Sequence, residues 1–468
     1  MLPNAYINIE DGALGIMPSS NSGLHFKVGV ASKGNVNEIY SFTSSAIDTI
    51  KKNFGTGPLV NALFDSFSAG SSTIYAVKAN ADIPGTISVI SSTKTGTGNM
   101  TATGSPLDEY HVEVEIITGG LLNQATFRYS LDGVNWSQER TIPVDGKYDI
   151  PDTGISITFT ESQEDPANSF KAGDKYMFST QAPQASVNSL MAAVDVILNS
   201  KYSYSFIHVV GESDVSVWAA LAQKAQLAET NFNYIHFICE VGPNADETAD
   251  QYTTRLTGYR ESFANTRISV SAAFGVVVDM NSGLQAQRNF AALYAGRLSS
   301  IPVHRSPGRV RDGAISGVIK LLPEDINDGH IETLNDNGYI TFRQFKGLDG
   351  FYITDGKMMA NAGSDFTTVE HRRTMDEACT LVRSKMLEYT NDELPETLEE
   401  LEADLSQPLR NMKNDGNIRG GTVYIPKDQD VLSTQKLIVK VRIVPVPIMK
   451  VLEAEIAFEN PYSEEATA

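Results

Sequence analysis

Strand-like and helix-like segments alternate along the second half of this 468-residue chain. The apolar run 205–210 is followed by helical spacing over 214–230 and by a further apolar run over 234–239. Three more segments continue the alternation, as helix, strand and helix: 248–264, 268–278 and 284–298. Because parallel strands need a crossover connection, usually a helix, this rhythm predicts a mostly parallel or mixed sheet covered by helices.

Between residues 82 and 185 the composition changes. This stretch is rich in Gly, Ser and Thr and has no long helical pattern. Short alternating segments, such as 112–116 and 155–159, are separated by turn signals such as Asp132-Gly133. The α/β pattern resumes afterwards, so we predict an inserted all-β, sandwich-like domain. Trp136, next to one of these turns, fits either a small core or a carbohydrate-binding face.

The C-terminal region has strand alternation in two runs, each with charged residues between apolar ones. The apolar residues are Leu437, Val439, Val441 and Ile443 in the first run, then Leu452, Ala454, Ile456 and Phe458 in the second. Pro445 and Pro447 cannot donate ladder hydrogen bonds, so the piece between the runs lies at an edge or a corner. A strand at the end of a chain needs a sheet to join, and a neighbouring copy can supply one.

These patterns predict an α/β (α+β) chain in five parts. The parts are an N-terminal arm (1–22), a first core segment (23–81), the inserted domain (82–185), a second core segment (186–434) and a C-terminal strand and arm (435–468). The N-terminal arm contains a short strand pattern with Tyr6, Ile7 and Ile9. Extended, strand-forming segments are therefore expected at both arms.

The chain is acidic, with 37 Lys and Arg against 57 Asp and Glu and a net charge of −20. This argues against a phosphate-binding surface, so we expect no nucleic-acid partner. No apolar run approaches the roughly 20 residues of a membrane helix, and the N-terminus has neither a basic start nor an apolar signal core. We expect a protein that is made and retained in cytosol, has no membrane partner, and leaves the cell by lysis or inside a larger particle.

No catalytic, cofactor or metal motif in the sequence is specific. Gly55-Thr56-Gly57 lacks the spacing and the lysine of a phosphate loop and predicts a turn between helices. Ser213 follows a strand, but Val215 stands where a nucleophile elbow needs its second glycine. His208 and His236 fall in buried strands, where we predict hydrogen-bonded core residues. We therefore expect no enzyme activity, no cofactor and no metal.

Four segments, in the same order, resemble the contractile-tail sheath proteins of bacteriophages, tailocins and related injection systems. The first two contain Phe54-Gly55 and Tyr75-Ala76-Val77-Lys78, then Ala292 to Arg297 followed by Ser306-Pro307-Gly308. The third and fourth contain Ile331 to Gly338, Gly350 to Gly356 and Val369 to Thr374, then the end Ala457-Phe458-Glu459-Asn460-Pro461. Lys357-Met358 stands where the family usually has Arg-Thr, so the chain resembles a divergent branch with an inserted β-domain.

The resemblance implies a structural subunit that polymerises as stacked six-subunit rings around an inner tube and contracts to drive the tube through a target envelope. Its partners would be further copies in a helical stack, the tail tube protein, and baseplate and tail terminator proteins. It would belong to a virion or tail particle that is assembled in the bacterial host cytoplasm. Strand exchange between subunits would use these terminal residues: Tyr6, Ile7, Ile9, Leu452, Ala454, Ile456 and Phe458.

Two charged regions have a second interpretation as docking surfaces for the tube or a neighbouring subunit. Arg372 and Arg373 open a predicted helix and fit either an inter-subunit contact or solvated charge. Residues 388–405 hold eight carboxylates and no Lys or Arg. They fit a solvated surface helix, or a docking face formed by Glu399, Glu400 and Glu402.

A different class of function stays open on these grounds, namely an α/β enzyme of the glycan hydrolase type that carries a β-sandwich binding module. Such an enzyme needs two carboxylates that converge in a cleft. The sequence does not identify them.

Overall fold

The computed structural model describes residues 23–395 and 397–458. The predicted strand with Tyr6, Ile7 and Ile9 lies outside the described residues. The chain divides into two compact units, with the boundary between residues 396 and 397. The sequence patterns placed the last boundary at 434/435. The second unit begins earlier because two helices after residue 397 pack against its strands.

The first core segment forms three strands and two helices: β1 (His25–Gly29), β2 (Ile39–Thr43), α1 (Asp48–Phe54), α2 (Pro58–Ser68) and β3 (Thr73–Lys78). β1 pairs with β3 in parallel, and β2 runs antiparallel to β3. Gly55 and Gly57 connect the helices at φ values of 71° and 125°, which glycine adopts most readily. Pro58 occupies the first turn of α2. The predicted turn between two helices is confirmed.

Residues 86–181 form nine strands and contain no α-helix. The strands are β4 (Thr86–Ile87), β5 (Ser91–Thr93), β6 (Asn99–Gly104), β7 (His111–Thr118), β8 (Thr126–Ser130), β9 (Arg140–Thr141), β10 (Lys147–Ile150), β11 (Ile155–Thr160) and β12 (Lys175–Gln181). They pair antiparallel as β10-β11-β6 and β4-β12-β7-β8-β9, with β5 also on β12. Alternate residues of β7, Val112, Val114 and Ile116, share an apolar core with Phe127 and Phe159. This stretch, the β-insert, therefore has a core of its own.

The second core segment alternates helices and strands at first and then becomes more irregular. Its elements are α3 (Val187–Leu198), β13 (Phe206–Glu212), α4 (Val215–Thr230), β14 (His236–Glu240), α5 (Ala249–Ser262), β15 (Ile268–Ser271), β16 (Phe274–Val278), β17 (Gln285–Asn289), α6 (Ala291–Ser300), β18 (Val318–Leu322), α7 (Asp328–Asp336), β19 (Tyr339–Ile340), β20 (Phe342–Arg343), β21 (Tyr352–Ile353) and α8 (Val369–Leu387). Asp214 caps α4 by accepting hydrogen bonds from the backbone N–H groups of Ser216 and Val217.

A seven-stranded sheet in the order β19-β15-β14-β13-β1-β3-β2 forms the centre of this unit. All pairings are parallel except that of β2 with β3. Ile207 and Phe237 pack into one apolar cluster with α3, α4 and α5, whereas their neighbours Phe206 and Ile238 pack into another with α6. Because successive side chains of a strand point to opposite faces, helices cover both faces. The predicted mixture of helices with a mostly parallel, mixed sheet is confirmed.

Two predicted elements in this segment are wrong. Residues 268–278 were predicted as one strand, but β15 belongs to the central sheet and β16 to a small antiparallel sheet with β17 and β18. Residues 284–298 were predicted as one helix, but β17 precedes α6. The cause is the reversal after Val278, where Asp279 and Leu284 close a turn that pairs β16 with β17. Cross-strand pairing overrides the local periodicity.

The C-terminal unit contains α9 (Leu398–Leu405), α10 (Gln407–Asn414), β22 (Gly420–Tyr424), α11 (Val431–Thr434) and β23 (Lys440–Val444). Its buried apolar residues come from the first two helices and from β22 with its flanks: Leu401, Leu405, Leu409, Met412, Ile418, Val423 and Ile425. Leu401 and Leu405 therefore form the packing face of α9. Over the described residues, no helix is long and apolar enough to cross a membrane.

Candidate functional site

β22 and β23 form an antiparallel two-stranded sheet, in register from Gly420 opposite Val444 to Tyr424 opposite Lys440. Among the described residues, neither strand pairs with any other strand. Each therefore has a free edge of backbone N–H and C=O groups. A two-stranded sheet is marginal alone, and here α9 and α10 support it. Tyr424 and Val444 remain more than half exposed, at 55% and 58%.

The segment after β23 is mostly exposed and belongs to no described helix or strand. β23 ends at Val444, immediately before Pro445, as expected for a residue that cannot donate to the ladder. From Lys450 to Phe458 the segment forms no strand, although its alternation predicted one. Leu452, Ile456 and Phe458 are almost fully exposed, and Ala454 is exposed as well. The predicted strand is therefore wrong for the single chain, where this segment pairs with no described strand.

The acidic helix α9 does not present all three of its predicted docking carboxylates freely. Glu399 forms an ion pair of 2.6 Å with Lys427, and this hydrogen bond lowers the pKa of Glu399. Glu402 accepts a hydrogen bond of 2.6 Å from the backbone N–H of Ile425. Glu400 is exposed. Two of the three carboxylates therefore already bind the loop that follows β22.

Arg372 and Arg373 are buried, at 5% and 2% exposure, so both interpretations drawn from the sequence placed them wrongly at the surface. Arg372 donates a hydrogen bond of 2.5 Å to Asp376 and lies over the ring of Phe366. Arg373 donates to the backbone carbonyls of residues 301 and 302, and burial lowers its pKa to about 10. Arg373 therefore joins α8 to the chain just after α6, and Arg372 pairs within α8, which corrects the predicted docking role. The physical reason is that local sequence does not reveal which helix face is covered.

A buried polar chain crosses three neighbouring strands of the central sheet. Lys27 of β1 lies 2.7 Å from Nδ1 of His208 on β13, and Nε2 of His208 lies 2.7 Å from Oε1 of Glu240 on β14. A lysine amine can donate here, so Nδ1 accepts and Nε2–H donates to the carboxylate. Burial lowers the pKa of Lys27 to about 7 and raises that of Glu240 to about 7. The predicted hydrogen-bonded core role of His208 is confirmed.

His236 differs from this prediction. It is fully buried and stacks on Phe206, but within the described part of the chain neither ring nitrogen has a hydrogen-bond partner. His25 is also fully buried and stacks on Phe206. Burial lowers the pKa of both histidines well below its usual value. Ser213 receives a hydrogen bond from Trp218 and donates one to the Glu240 carbonyl, so its hydroxyl is engaged structurally.

A crevice of about 170 Å³ opens beyond the carboxyl ends of β1, β13 and β14, between the central sheet and the β-insert. Arg288 of β17 lies in it, 3.2 Å from Asp65 and 3.5 Å from Asp279. Glu240 also lines the crevice and binds His208 and the backbone N–H of Gly211. The hydrolase alternative needed two convergent carboxylates free for acid–base work. Asp65, Asp279 and Glu240 are already paired, so these three do not supply them.

Over the described ranges, no group of three or more His, Cys, Asp or Glu side chains could hold a metal ion. The crevice and the sheet of β22 and β23 are therefore the two candidate functional sites among the described residues. Sequence reasoning missed the crevice, because its residues come from α2, β13, β14, β17 and the β-insert. The one sequence signal was the alternation that predicts a parallel sheet, since crevices form where strand order reverses.

The fold is that of contractile sheath proteins. It is similar to the sheath of an extracellular contractile injection system, PVC, in its contracted state, with a TM-score of 0.57, 14% identity and coverage of 100% and 99% of the two chains. The sheath tail protein of Desulfitobacterium hafniense gives a TM-score of 0.51 at 12% identity, covering 95% of this chain and all of that chain. A chain of the anti-feeding prophage baseplate, contracted, gives 0.55 at 12% identity, covering 98% and 99%.

Residues 2–357 match the family described as DUF2586, N-terminal domain, and residues 365–463 match DUF2586, C-terminal domain. The chain belongs to the DUF2586 family. A protein of Haemophilus phage HP1 (strain HP1c1), whose name assigns it to the tail sheath, is 26% identical over 231 residues. That alignment covers 45% of this chain and 58% of the phage protein. The resemblance to contractile-tail sheath proteins is confirmed.

Proposed function

We propose that this protein is a structural, non-enzymatic subunit of a contractile tail sheath. Subunits stack as six-membered rings around an inner tube, bind the tube, baseplate and terminator proteins, and contract to drive the tube through a target envelope. The subunit acts in a virion or tail particle that is assembled in host cytoplasm, without nucleic acid or membrane as a partner. The sheath fold, the family and the phage relative support this proposal.

One observation carries the assembly step. The sheet of β22 and β23 has free edges, and the following segment exposes alternating apolar residues with no ladder of its own among the described residues. Strand addition gives the free edges and the exposed segment a partner, because the segment of one subunit pairs with the sheet of β22 and β23 in another. The contact is head to tail and does not close on two copies, so it builds an extended assembly. We propose that the segment with Tyr6, Ile7 and Ile9 adds a second strand to a neighbouring subunit.

Three exposed apolar side chains supply the apolar part of this contact. Leu452, Ile456 and Phe458 are 84%, 94% and 108% exposed. Burying three such side chains contributes about 5–9 kcal/mol at about 1.5–3 kcal/mol each. Ordering residues 452–458 costs about 1–2 kcal/mol per residue, or about 7–14 kcal/mol in all, which matches or exceeds this gain. Backbone hydrogen bonds and many repeated contacts then supply the remainder.

Negative-stain microscopy of the purified full chain, alone and with its tube protein, tests the proposal. Hollow helical cylinders are expected. The double substitution Ile456→Asp with Phe458→Asp should abolish cylinders and leave the circular dichroism of the subunit unchanged. The matched control is Glu453→Gln with Glu455→Gln, which changes the opposite face and should assemble normally. A chain that never assembles, even with tube present, would refute the proposal.

We also propose a smaller role for α9 in docking to the tube or a neighbouring subunit. Glu400 is the carboxylate best placed for it, because Glu399 and Glu402 bind Lys427 and Ile425 within their own unit. Exposed ion pairs are weak and salt-sensitive. Reversing the charge at Glu400 should therefore reduce assembly at low salt only.

A further inference from the structure

The crevice separates the β-insert from the central sheet at the place where strand order reverses. β1 lies at the centre, with β3 on one side and β13 on the other. The carboxyl ends of β1 and β13 form one wall, and Asp108, Glu109 and Tyr110 of the β-insert form the other. The β-insert thus closes over an edge of the sheet that open α/β folds leave as a crevice.

The β-insert is joined to the core by two adjacent chain crossings. At these crossings, Ile83 and Gln184 exchange backbone hydrogen bonds of 3.1 and 2.9 Å. Asp82 accepts a hydrogen bond of 2.7 Å from the backbone N–H of Ser186 beside them. Two crossings at one place form a hinge, because a rotation about them moves the β-insert without breaking its own sheets. Opening of the crevice then depends on what holds its walls together.

Two hydrogen bonds join the β-insert to the core across the crevice. The Asn61 side chain donates to Asp108 Oδ2 at 2.6 Å, and the backbone N–H of Gln285 donates to Asp132 Oδ2 at 3.0 Å. Both use a carboxylate of the β-insert as acceptor. These bonds position the β-insert, but they do not neutralise its charge, since an amide and a backbone N–H carry none.

The charges on the two walls do not balance. Arg288 is the guanidinium in the crevice, and Asp65 and Asp279 of the core already bind it. The carboxylate of Glu109, on the β-insert, is therefore surrounded mostly by other negatively charged groups. The ionisable groups around Glu109 are Asp108 beside it, Glu212 at the end of β13, Glu240 at the end of β14 and Arg288 on β17. Ionised together, these carboxylates repel the β-insert from the core.

Protons relieve this repulsion. Water reaches Glu109 at the crevice mouth, yet the surrounding protein and the nearby Asp108 and Glu212 raise its pKa to about 8. Burial raises the pKa of Asp65 to about 6, and it raises that of Glu212 as well. A carboxyl with a raised pKa in the closed form binds protons that the open form releases. Closure is therefore favoured at low pH and weakened as pH rises through about 6 to 8.

We propose that the crevice is a proton-dependent latch: protonation of its carboxyl groups removes the repulsion and lets the bonds to Asp108 and Asp132 hold the β-insert against the core, and ionisation lets it swing about the 82–186 hinge. The latch does not depend on sheath assembly. It gives one subunit two positions of its β-insert, selected by pH. The charge belongs to both walls, so removing a carboxyl from either wall should weaken the response.

Hydrogen–deuterium exchange of the full chain at pH 6 and pH 9, with each rate divided by the intrinsic rate at that pH, tests the latch. The backbone amide of Gln285, which donates to Asp132 across the crevice, should lose protection about tenfold at pH 9. The raised pKa of Glu109 by itself would predict a larger loss of protection. We expect about tenfold because water reaches Glu109 and screens its charge. Amides inside β7 and β11 should keep their protection.

The test variant is Glu109→Gln, with Glu164→Gln, an exposed carboxyl of the β-insert, as the matched control. Glu109→Gln should reduce the pH effect to less than about threefold, and Glu164→Gln should retain it. Glu212→Gln on the opposite wall repeats the test should Glu109→Gln fail to fold. Unchanged protection in the wild type, a full pH effect in Glu109→Gln, or equal loss inside β7 and β11 would each overturn the latch.

Discussion

Lys27 is a lysine with no exposure in the middle of a parallel sheet, and replacing it with methionine gives a sharp test of the buried chain. Methionine keeps the length of the side chain but removes the amine that lies 2.7 Å from His208. Glu240, at 8% exposure, then loses the nearby positive charge. Removing one partner of a buried pair costs about 3–5 kcal/mol. Because Glu240 can take up a proton instead, we expect Lys27→Met to cost about 2–4 kcal/mol at pH 7.

The pH dependence of this cost follows from Glu240. Its folded pKa is already raised to about 7 by burial, and loss of Lys27 raises it further. A carboxyl with a raised folded pKa contributes stability that is present at low pH and is lost as pH rises through that pKa. The cost of Lys27→Met should therefore be larger at pH 8 than at pH 5.5.

Urea denaturation followed by tryptophan fluorescence measures this cost. The chain has two tryptophans, so a Trp136→Phe background leaves buried Trp218 as the reporter of the core. Glu240→Gln alone should also destabilise, and the double variant should be less destabilised than the sum by about 1–2 kcal/mol, since the two groups share one network. Additive costs, or a cost of Lys27→Met that falls as pH rises, would refute the coupling through His208.

Three further outcomes are expected. Arg373→Ala should lower the unfolding free energy by about 3 kcal/mol, measured by urea denaturation, because it removes the donor that binds the buried Ile301 carbonyl and the carbonyl of Pro302; a neutral effect would contradict its burial. His236→Phe should reduce acid lability in a pH–melting series, because the depressed folded pKa of a buried histidine costs stability as pH falls below about 6.5. Glu400→Lys should reduce cylinder formation at low salt and not at high salt, measured by sedimentation, with Asp392→Lys on the same exposed stretch as the control.

Local sequence patterns predicted individual helices and strands more reliably than they predicted the contacts between them. The alternation over 205–239 gave two strands around one helix because periods of 2.0 and 3.6 are properties of the backbone itself. The prediction for residues 268–298 was wrong because the chain leaves the central sheet after β15, and β16 pairs with β17 instead. Neither period encodes pairing across a turn. Arg372 and Arg373 were misplaced for a related reason, since burial depends on what covers a helix.

The structure around the alternating residues after Pro447 was determined partly by the local sequence and partly by the tertiary structure. By itself, the sequence determined that Leu452, Ile456 and Phe458 share one face of an extended segment, because residues two apart on a strand always do. Only the tertiary structure decided that they have no ladder among the described strands, that β22 and β23 keep free edges, and that acidic walls meet in the crevice. These features depend on contacts between residues far apart in the chain, and such contacts exist only after the strands have found their order.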